Sequence, residues 1–146
     1  MSDTSRQELE QLIDERVAAV HRRDSATLLR QHDDKVLTYP LLPPTVSRGR
    51  EAIAASLDQW FGGYVDGPGY EVHDLVVEAD EDLGYCAFLY HVSGTLTSGD
   101  VVDMWVRSTV VFRRQDDGWR LVHAHESVPF DPATGRALTS EPPPEG

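Results

Sequence analysis

The residues of this chain that could do chemistry are concentrated in its last third, in a stretch that alternates polar and apolar side chains. His123, His125 and Ser127 are each separated by one residue, so on a strand all three would project from one side. Imidazole can act as a general base near neutral pH, and a hydroxyl can donate a hydrogen bond to a developing oxyanion. Tyr39, just before a Pro-rich loop, could supply that hydroxyl. If the protein is an enzyme, we predict His125, His123 and Tyr39 as its catalytic residues.

Two short turns predict how the strands around these histidines pair. Asp116-Asp117 and Ser98-Gly99 suit two-residue hairpin turns, which fix the cross-strand register. In that register Ser108 lies opposite His125, and His91 shares their face, which is otherwise apolar and should pack against helices. Polar groups on such a face need hydrogen-bond partners or a pocket that admits solvent. We therefore expect a ligand site on this face.

The predicted ligand contacts are the inward polar side chains, one methionine and three aromatic residues at the end of a helix. They are His91, Ser108, Ser127, Met104, Trp60, Phe61 and Tyr64. The same register turns Asp103 and Glu126 to the opposite face, where Glu126 would pair with Arg107. The site is thus expected to contain no carboxylate.

Other interpretations of these residues stay open. A histidine buried on a strand is commonly satisfied by a neighbouring hydroxyl or carbonyl group, and aromatic residues at a helix end commonly belong to the core. His123 and His125 could supply two ligands to a metal, but an intervening strand separates them from His91, so no metal is predicted. No other cofactor is predicted either.

The spacing of apolar residues predicts the elements that position this site. Helices are expected over residues 7–23, 25–31 and 50–61, and strands over residues 36–39, 70–79, 83–96, 101–114 and 119–128. Helices at one end and an antiparallel sheet at the other make an α+β domain. We expect residues 1–130 to form a single domain and residues 131–146 to form a loose, Pro-rich acidic tail.

Composition limits the classes of partner. The 146 residues include 25 acidic and 13 basic side chains, a formal net charge of −12. Such a chain repels phosphate backbones and anionic bilayers, which disfavours nucleic-acid and membrane-surface roles. Cys86 is the single cysteine, which excludes an internal disulfide and a Cys-rich metal site. The N-terminal residues are polar and the apolar runs are short, so we expect a cytoplasmic protein without a membrane span.

The outer face of the predicted sheet, opposite the ligand site, is too apolar to remain solvated. Trp105, Val111, Val122 and Val128 stand among charged residues on that face. A face-to-face homodimer would remove these side chains from water. We therefore expect a homodimer that binds a small molecule.

The order of elements, with a Pro-rich loop between the first strand and the third helix, resembles the SnoaL-like and ketosteroid-isomerase-like proteins of the nuclear-transport-factor-2-like (NTF2-like) superfamily. The resemblance covers residues 6–130 and rests on Asp33-Asp34, on Arg48-Gly49-Arg50-Glu51-Ala52-Ile53, and on residues 111–114 and 118–127. The last stretch is also similar to the association domain of calcium/calmodulin-dependent protein kinase II. The resemblance implies a cone, in which helices and a strongly bent antiparallel sheet enclose an apolar pocket, and a dimer formed through the outer face of the sheet.

The same resemblance implies which chemistry to expect. Steroid isomerases of this fold place an aspartate base where this chain has Tyr39, and build their oxyanion hole at positions that match Arg16 and Ser108. Since none of those groups is kept, steroid isomerisation by that mechanism is not expected. We expect a small-molecule-binding protein, with cofactor-independent isomerase, cyclase, dehydratase or hydrolase activity on a partly apolar substrate as its enzymatic form. The alternative is a non-catalytic binding or oligomerisation module.

Overall fold

The computed structural model describes residues 3–144. Within them, two helices precede the first of six strands, and a third helix lies between the second and third strands. The elements are α1 (Asp3–His21), α2 (Ser25–Arg30), β1 (His32–Tyr39), β2 (Ser47–Arg48), α3 (Arg50–Gly62), β3 (Tyr64–Ala79), β4 (Leu83–Leu96), β5 (Val101–Gln115) and β6 (Gly118–Ser127). The α+β class is confirmed. The expected helices and long strands are all present, and β1 and β3 begin earlier than their apolar patterns indicated.

All six strands form one sheet in the order β2-β1-β6-β5-β4-β3. Strands β3 to β6 are antiparallel neighbours along the chain, whereas β1 runs parallel to β6. Helix α1 packs against β3 and β4, and α3 contacts β1 and β3. The helices therefore cover one face of the sheet, which we call the inner face.

Local sequence explains how the helices begin and where they attach. The Asp24 carboxylate caps α2 by accepting a hydrogen bond from the backbone N–H of Thr27 at 3.1 Å. Glu8 of α1 accepts hydrogen bonds from Arg114 at 2.8 Å and from the Trp119 indole at 3.0 Å. These contacts attach α1 to the end of β5 and the start of β6, next to the turn that joins the two strands.

The loop between β4 and β5 is one residue longer than predicted. Thr95 pairs with Val101, and the N–H of Leu96 donates to the carbonyl of Asp100, which leaves Thr97-Ser98-Gly99 as a three-residue loop. Gly99 has a φ of 92°, the left-handed conformation that such loops need. Because of the extra residue, His91 lies opposite Trp105 instead of Val106. The predicted register of this hairpin is therefore wrong, and His91 lies on the outer face.

The register between β5 and β6 is correct near the turn and wrong beyond it. Asp116-Asp117 form the predicted two-residue turn, and Phe112 lies opposite Leu121 as expected. The next pair is Val111 with His123, so Val122 is an extra residue, which makes a β-bulge.

The bulge exchanges the two faces of β6 beyond Val122. Ser108 pairs with Glu126, and His125 pairs with Thr109. Since side chains alternate along a strand, Glu126 turns inward, whereas His123, His125 and Ser127 turn outward. The expected pairs of Ser108 with His125 and of Arg107 with Glu126 are wrong for this reason.

The segment after β6 folds back on itself. Phe130 forms a β-bridge with Ala137, and the N–H of Leu138 donates to the carbonyl of Pro129 at 2.7 Å. The backbone N–H of Trp105 donates to the carbonyl of Thr139, also at 2.7 Å. The predicted tail therefore follows a defined path as far as Thr139, and the boundary at residue 130 stays a prediction.

Gly84 is a site where the close packing of α1 on the sheet can be tested. A Cβ atom at Gly84 would lie 2.7 Å from Leu9 Cδ1, 2.7 Å from Ala79 Cβ and 2.9 Å from the carbonyl oxygen of Glu78. Gly84→Ala should therefore lower the free energy of unfolding by about 1–3 kcal/mol in urea denaturation. Gly62→Ala is the matched control because nothing lies within 4 Å of its added Cβ. Equal stability of the two variants would contradict this packing.

Candidate functional site

Five elements each place one polar side chain at the inner face, and we call these residues the inner cluster. They are Arg16 of α1, Tyr70 of β3, Tyr90 of β4, Ser108 of β5 and Glu126 of β6. The rings of Tyr70 and Tyr90 have centroids 4.7 Å apart, and Ser108 lies directly across from Glu126. Arg16 lies on the apolar side of α1, and its charge acts on Tyr70, Tyr90 and Glu126.

Glu126 is the inward carboxyl group that the sequence analysis placed on the other face. Its pKa is raised above the usual value, first because burial penalises the carboxylate, while the Tyr90 hydroxyl and the charge of Arg16 oppose the shift. The residue as a whole keeps some accessible surface. A carboxyl group whose pKa is raised by burial can act as a general acid as well as a general base.

The two tyrosines remain protonated and serve as hydrogen-bond donors. Tyr70 and Tyr90 are 5% and 6% exposed. Burial raises the pKa of Tyr70 to about 12 and the pKa of Tyr90 well above its usual value. Both rings thus carry neutral phenols beside Glu126 and Arg16.

Two members of the cluster have polar atoms without protein partners. Within residues 3–144, Arg16 Nε and Nη1 are buried and make no hydrogen bond, and neither does the Ser108 hydroxyl. Ser108 is only 4% exposed. Because an unpaired buried donor is costly, such groups mark a place where a ligand can supply the missing acceptors.

Aromatic and apolar side chains surround the cluster. Trp60 stacks on Phe61 at 5.2 Å and contacts the edge of Tyr70 at 6.3 Å. Met104 and Trp60 pack against the core while keeping part of their surface exposed. Of the predicted ligand contacts, Ser108, Met104, Trp60 and Phe61 therefore lie on the inner side. Tyr64 is 7% exposed and packs against Gly94, and the binding role of all five stays a prediction.

His91 lies on the outer face among charged and aromatic groups. Its Nε2 is 2.5 Å from Asp103 Oδ1, its Nδ1 is 3.5 Å from Glu71 Oε1, and its ring stacks on Trp105 at 4.7 Å. The hydrogen bond to Asp103 is the main reason that the pKa of His91 is raised. His91 is thus paired on both ring nitrogens, away from the inner cluster.

The structure brings Tyr39, His123 and His125 together, but on the outer face. The Tyr39 ring contacts the rings of His123 at 5.0 Å and His125 at 5.5 Å, both edge-on. His123 Nδ1 donates to the carbonyl of Leu37 at 2.8 Å. The predicted placement of His123 and His125 on the inner face, with His125 opposite Ser108, is therefore wrong, and the catalytic role of the three residues stays a prediction.

His125 and Ser127 border an open groove of about 460 Å³ on the outer face. Arg107 and Asp74 also line it, and Arg107 Nε donates to the Ser127 hydroxyl at 3.2 Å. The groove is broadly open to solvent, so it offers little of the desolvation that strengthens acid and base groups.

Metal and thiol chemistry find no support in the described part of the chain. Between residues 3 and 144, no three His, Cys, Asp or Glu side chains are grouped as metal ligands. Cys86 is buried, and burial raises the pKa of its thiol to about 12, which suppresses the nucleophilic thiolate. None of the helices in this range combines the length and hydropathy that a membrane crossing needs.

Four of the five residues of the inner cluster, all except Ser108, were not predicted as site residues. Arg16 had a visible signal, since it is a charged residue within the apolar stripe of α1. The inward direction of Glu126 depends on the bulge at Val122, which no local pattern indicates. Tyr70 and Tyr90 fit the strand pattern and carry no signal of their own.

The raised pKa of Glu126 has a consequence for stability. A carboxyl group whose pKa is higher in the folded state than in the unfolded state destabilises the fold as pH rises through the folded pKa. Glu126→Gln should therefore increase the free energy of unfolding at pH 7, and this gain should disappear as pH falls below the ordinary carboxyl pKa of 4.5. Urea denaturation at several pH values measures this, with Glu10→Gln, an exposed site on α1, as the control. A gain that does not depend on pH would contradict the buried position of the carboxyl group.

Comparison with known proteins agrees with the fold. Residues 9–131 match the SnoaL-like domain family. An NTF2-like protein of unknown function from Pseudomonas putida KT2440 has a similar crystal structure, with 27% identity, a TM-score of 0.86, and coverage of 98% of this chain and 99% of that chain. No curated protein sequence is significantly similar to this chain.

Two more solved structures share the fold at lower identity. One is a candidate dehydratase of the NTF2-like family from Streptomyces avermitilis, with 21% identity, a TM-score of 0.76, and coverage of 88% of this chain and 99% of that chain. The other is a candidate calcium/calmodulin-dependent protein kinase II association domain from Xanthomonas campestris, with 21% identity, a TM-score of 0.72, and coverage of 82% and 84%. Since the family match spans most of the sequence, the chain belongs to the SnoaL-like domain family, within the NTF2-like superfamily.

Proposed function

We propose that this protein binds a small, partly apolar organic molecule at the inner cluster and carries out cofactor-independent acid–base chemistry there, with Glu126 as the proton-transfer group. The observation that carries the proposal is the position of Glu126, an inward carboxyl group with a raised pKa across the strand from an unpaired hydroxyl. Isomerases and dehydratases use such a group to move a proton next to a carbonyl.

The roles of the cluster follow from its chemistry. The Glu126 carboxylate would take a proton from a carbon beside a carbonyl group. The C–H electron pair would form a C=C bond, and the π pair of the carbonyl group would move onto its oxygen. Arg16 and the Tyr70 and Tyr90 phenols would stabilise the oxygen as it becomes negative. Protonated Glu126 would then return the proton to another carbon, which is an isomerisation, or to a leaving hydroxyl, which is a dehydration. The name of the dehydratase-like relative from Streptomyces avermitilis fits this class of reaction.

An acid–base role for His125, His123 and Tyr39 would require a different place for the ligand. These residues could act only on a molecule in the open groove of the outer face. One ring nitrogen of His123 is already bound to the Leu37 carbonyl. The inner cluster is the stronger candidate because its donors are buried and unpaired.

Two substitutions separate the inner cluster from the outer histidines. Turnover would be screened with β,γ-unsaturated ketones and β-hydroxy ketones, followed by ultraviolet absorbance of the conjugated product. Glu126→Gln should reduce kcat roughly 10²- to 10⁴-fold, because the amide cannot transfer a proton. His125→Gln, with the same type of side chain in the outer groove, should keep the activity. Loss of turnover in His125→Gln alone would overturn the assignment to Glu126.

We also propose that the outer face forms a homodimer interface. Trp105 and Val111 lie on this face, and Val122 is the bulge residue beside them. Val128 packs against the core cluster instead, because it follows the bulge with the same parity as Glu126. The likeness to an association domain keeps an assembly module as the second candidate function.

The interface can be tested by its effect on mass in solution. Val111→Lys should convert a dimer into a monomer in multi-angle light scattering, since an ammonium group cannot be buried there without a partner. Leu42→Lys is the control, because Leu42 is 70% exposed in the Pro-rich loop, away from the sheet. A monomeric wild-type protein would contradict the dimer, and a ring of more than two subunits would favour the assembly function.

A further inference from the structure

We propose that the inner cluster also binds a small aromatic carboxylate as a competing ligand, and that this ligand binds together with a proton on Glu126. This inference rests on the proposed function, because it concerns the same cluster: protonated Glu126 cannot act as the base, so the bound acid would exclude the carbonyl substrate. Binding requires one proton from solvent to join a Glu126 carboxylate oxygen, and no other bond forms or breaks.

The Arg16 guanidinium group is only partly satisfied by the protein, through a hydrogen bond with Tyr70. Arg16 Nε and Nη1 together carry most of the N–H donors of the guanidinium group, and both are buried without a partner in residues 3–144. A neutral carbonyl ligand could accept a hydrogen bond from these atoms but would bring no charge to oppose that of Arg16. A carboxylate supplies both the acceptor oxygens and the opposite charge, and charge-assisted hydrogen bonds are the stronger ones.

The Ser108 hydroxyl is a second polar group without a partner in the described part of the chain. The Ser108 hydroxyl is buried, unpaired and directly across from Glu126. A hydroxyl can donate to an anionic oxygen and accept from a protonated carboxyl group. The Ser108 hydroxyl can therefore hydrogen-bond either to the carboxylate of the ligand or to the protonated carboxyl group of Glu126.

The groups around Glu126 supply little positive charge apart from Arg16. Arg16 faces Glu126 from α1, the neutral phenols of Tyr70 and Tyr90 face it from β3 and β4, and His125 precedes it along β6 on the outer face. His32 of β1 is also near Arg16, and burial is the main reason that its pKa falls to about 4, so it stays neutral. Two carboxylates cannot remain ionised side by side when Arg16 is the main cation facing them, so an anionic ligand should bring a proton to Glu126.

Aromatic side chains beside the cluster favour a ligand that contains an aromatic ring. A row of ring contacts runs from Phe88 through Tyr90 and Tyr70 to Trp60, with centroids 6.4, 4.7 and 6.3 Å apart. Trp60 and Met104 keep part of their surface exposed next to this row. A planar ring can stack on such a surface, and aromatic pairs add to the free energy of apolar burial.

The test uses trans-cinnamate and its neutral amide, cinnamamide, as matched probes. Isothermal titration calorimetry of the full chain at pH 7, in two buffers with different enthalpies of ionisation, gives both the Kd and the number of protons taken up. We expect cinnamate to bind about tenfold or more tightly than cinnamamide, with net proton uptake. Arg16→Met should abolish this preference, and Arg16→Lys, which keeps the charge, should retain part of it. Glu126→Gln should bind cinnamate without proton uptake.

Each contrary result has a distinct meaning. Equal affinity for the acid and the amide, or a preference that survives Arg16→Met in a folded variant, would overturn the inference. Cinnamate binding without proton uptake by the wild-type protein would overturn the role of Glu126 in it. If cinnamate does not bind but ketone turnover still depends on Glu126, the inference fails and the proposed function stands. If Arg107→Met, in the outer groove, abolishes binding while Arg16→Met does not, the ligand lies outside the cluster and the inference fails.

Discussion

A single extra residue in β6 determines which side chains of the last strand reach the interior. Before Val122, Trp119 and Leu121 face the core, and after it Ala124 and Val128 do. Because the side-chain period of a strand is two, this one bulge inverts the direction of every later residue. It brings a carboxyl group to the inner cluster and sends the histidines to the outer face. The chemistry open to this protein therefore depends on the bulge more than on the types of residue in the strand.

The inner cluster is costly to fold, and this cost is itself an argument for function. A buried guanidinium with unpaired nitrogens and a carboxyl whose pKa is raised by burial both reduce the net stability of the domain. Apolar residues of similar volume at these positions would commonly be neutral or stabilising. The surrounding core, in which Leu9, Phe112 and Leu121 are fully buried, offsets the free-energy cost of these buried polar groups.

The fold was predictable from the sequence to a larger extent than the site. The spacing of apolar residues indicated α1 and α2, and Asp116-Asp117 identified the last turn. The loop at Ser98-Gly99 was misjudged because the same residues suit two- and three-residue turns. The bulge at Val122 carries no glycine, and the parallel pairing of β1 with β6 joins residues far apart in the chain. The site prediction failed because it depends on which face of the sheet each side chain projects from. The fold prediction does not depend on this.

The distribution of paired and unpaired polar groups separates the two faces of the sheet. On the outer face, His91 binds Asp103 and Arg107 binds Ser127. On the inner face Arg16 and Ser108 keep unpaired donors. With a net charge of −12, the protein repels an anion at long range, but this repulsion is screened by salt beyond about 8 Å. Any selectivity for a carboxylate must therefore arise at short range, inside the protein, where the charge of Arg16 is poorly screened. The net negative charge of the protein and the positive charge of Arg16 are compatible with anion binding, because they act on an anion at different distances.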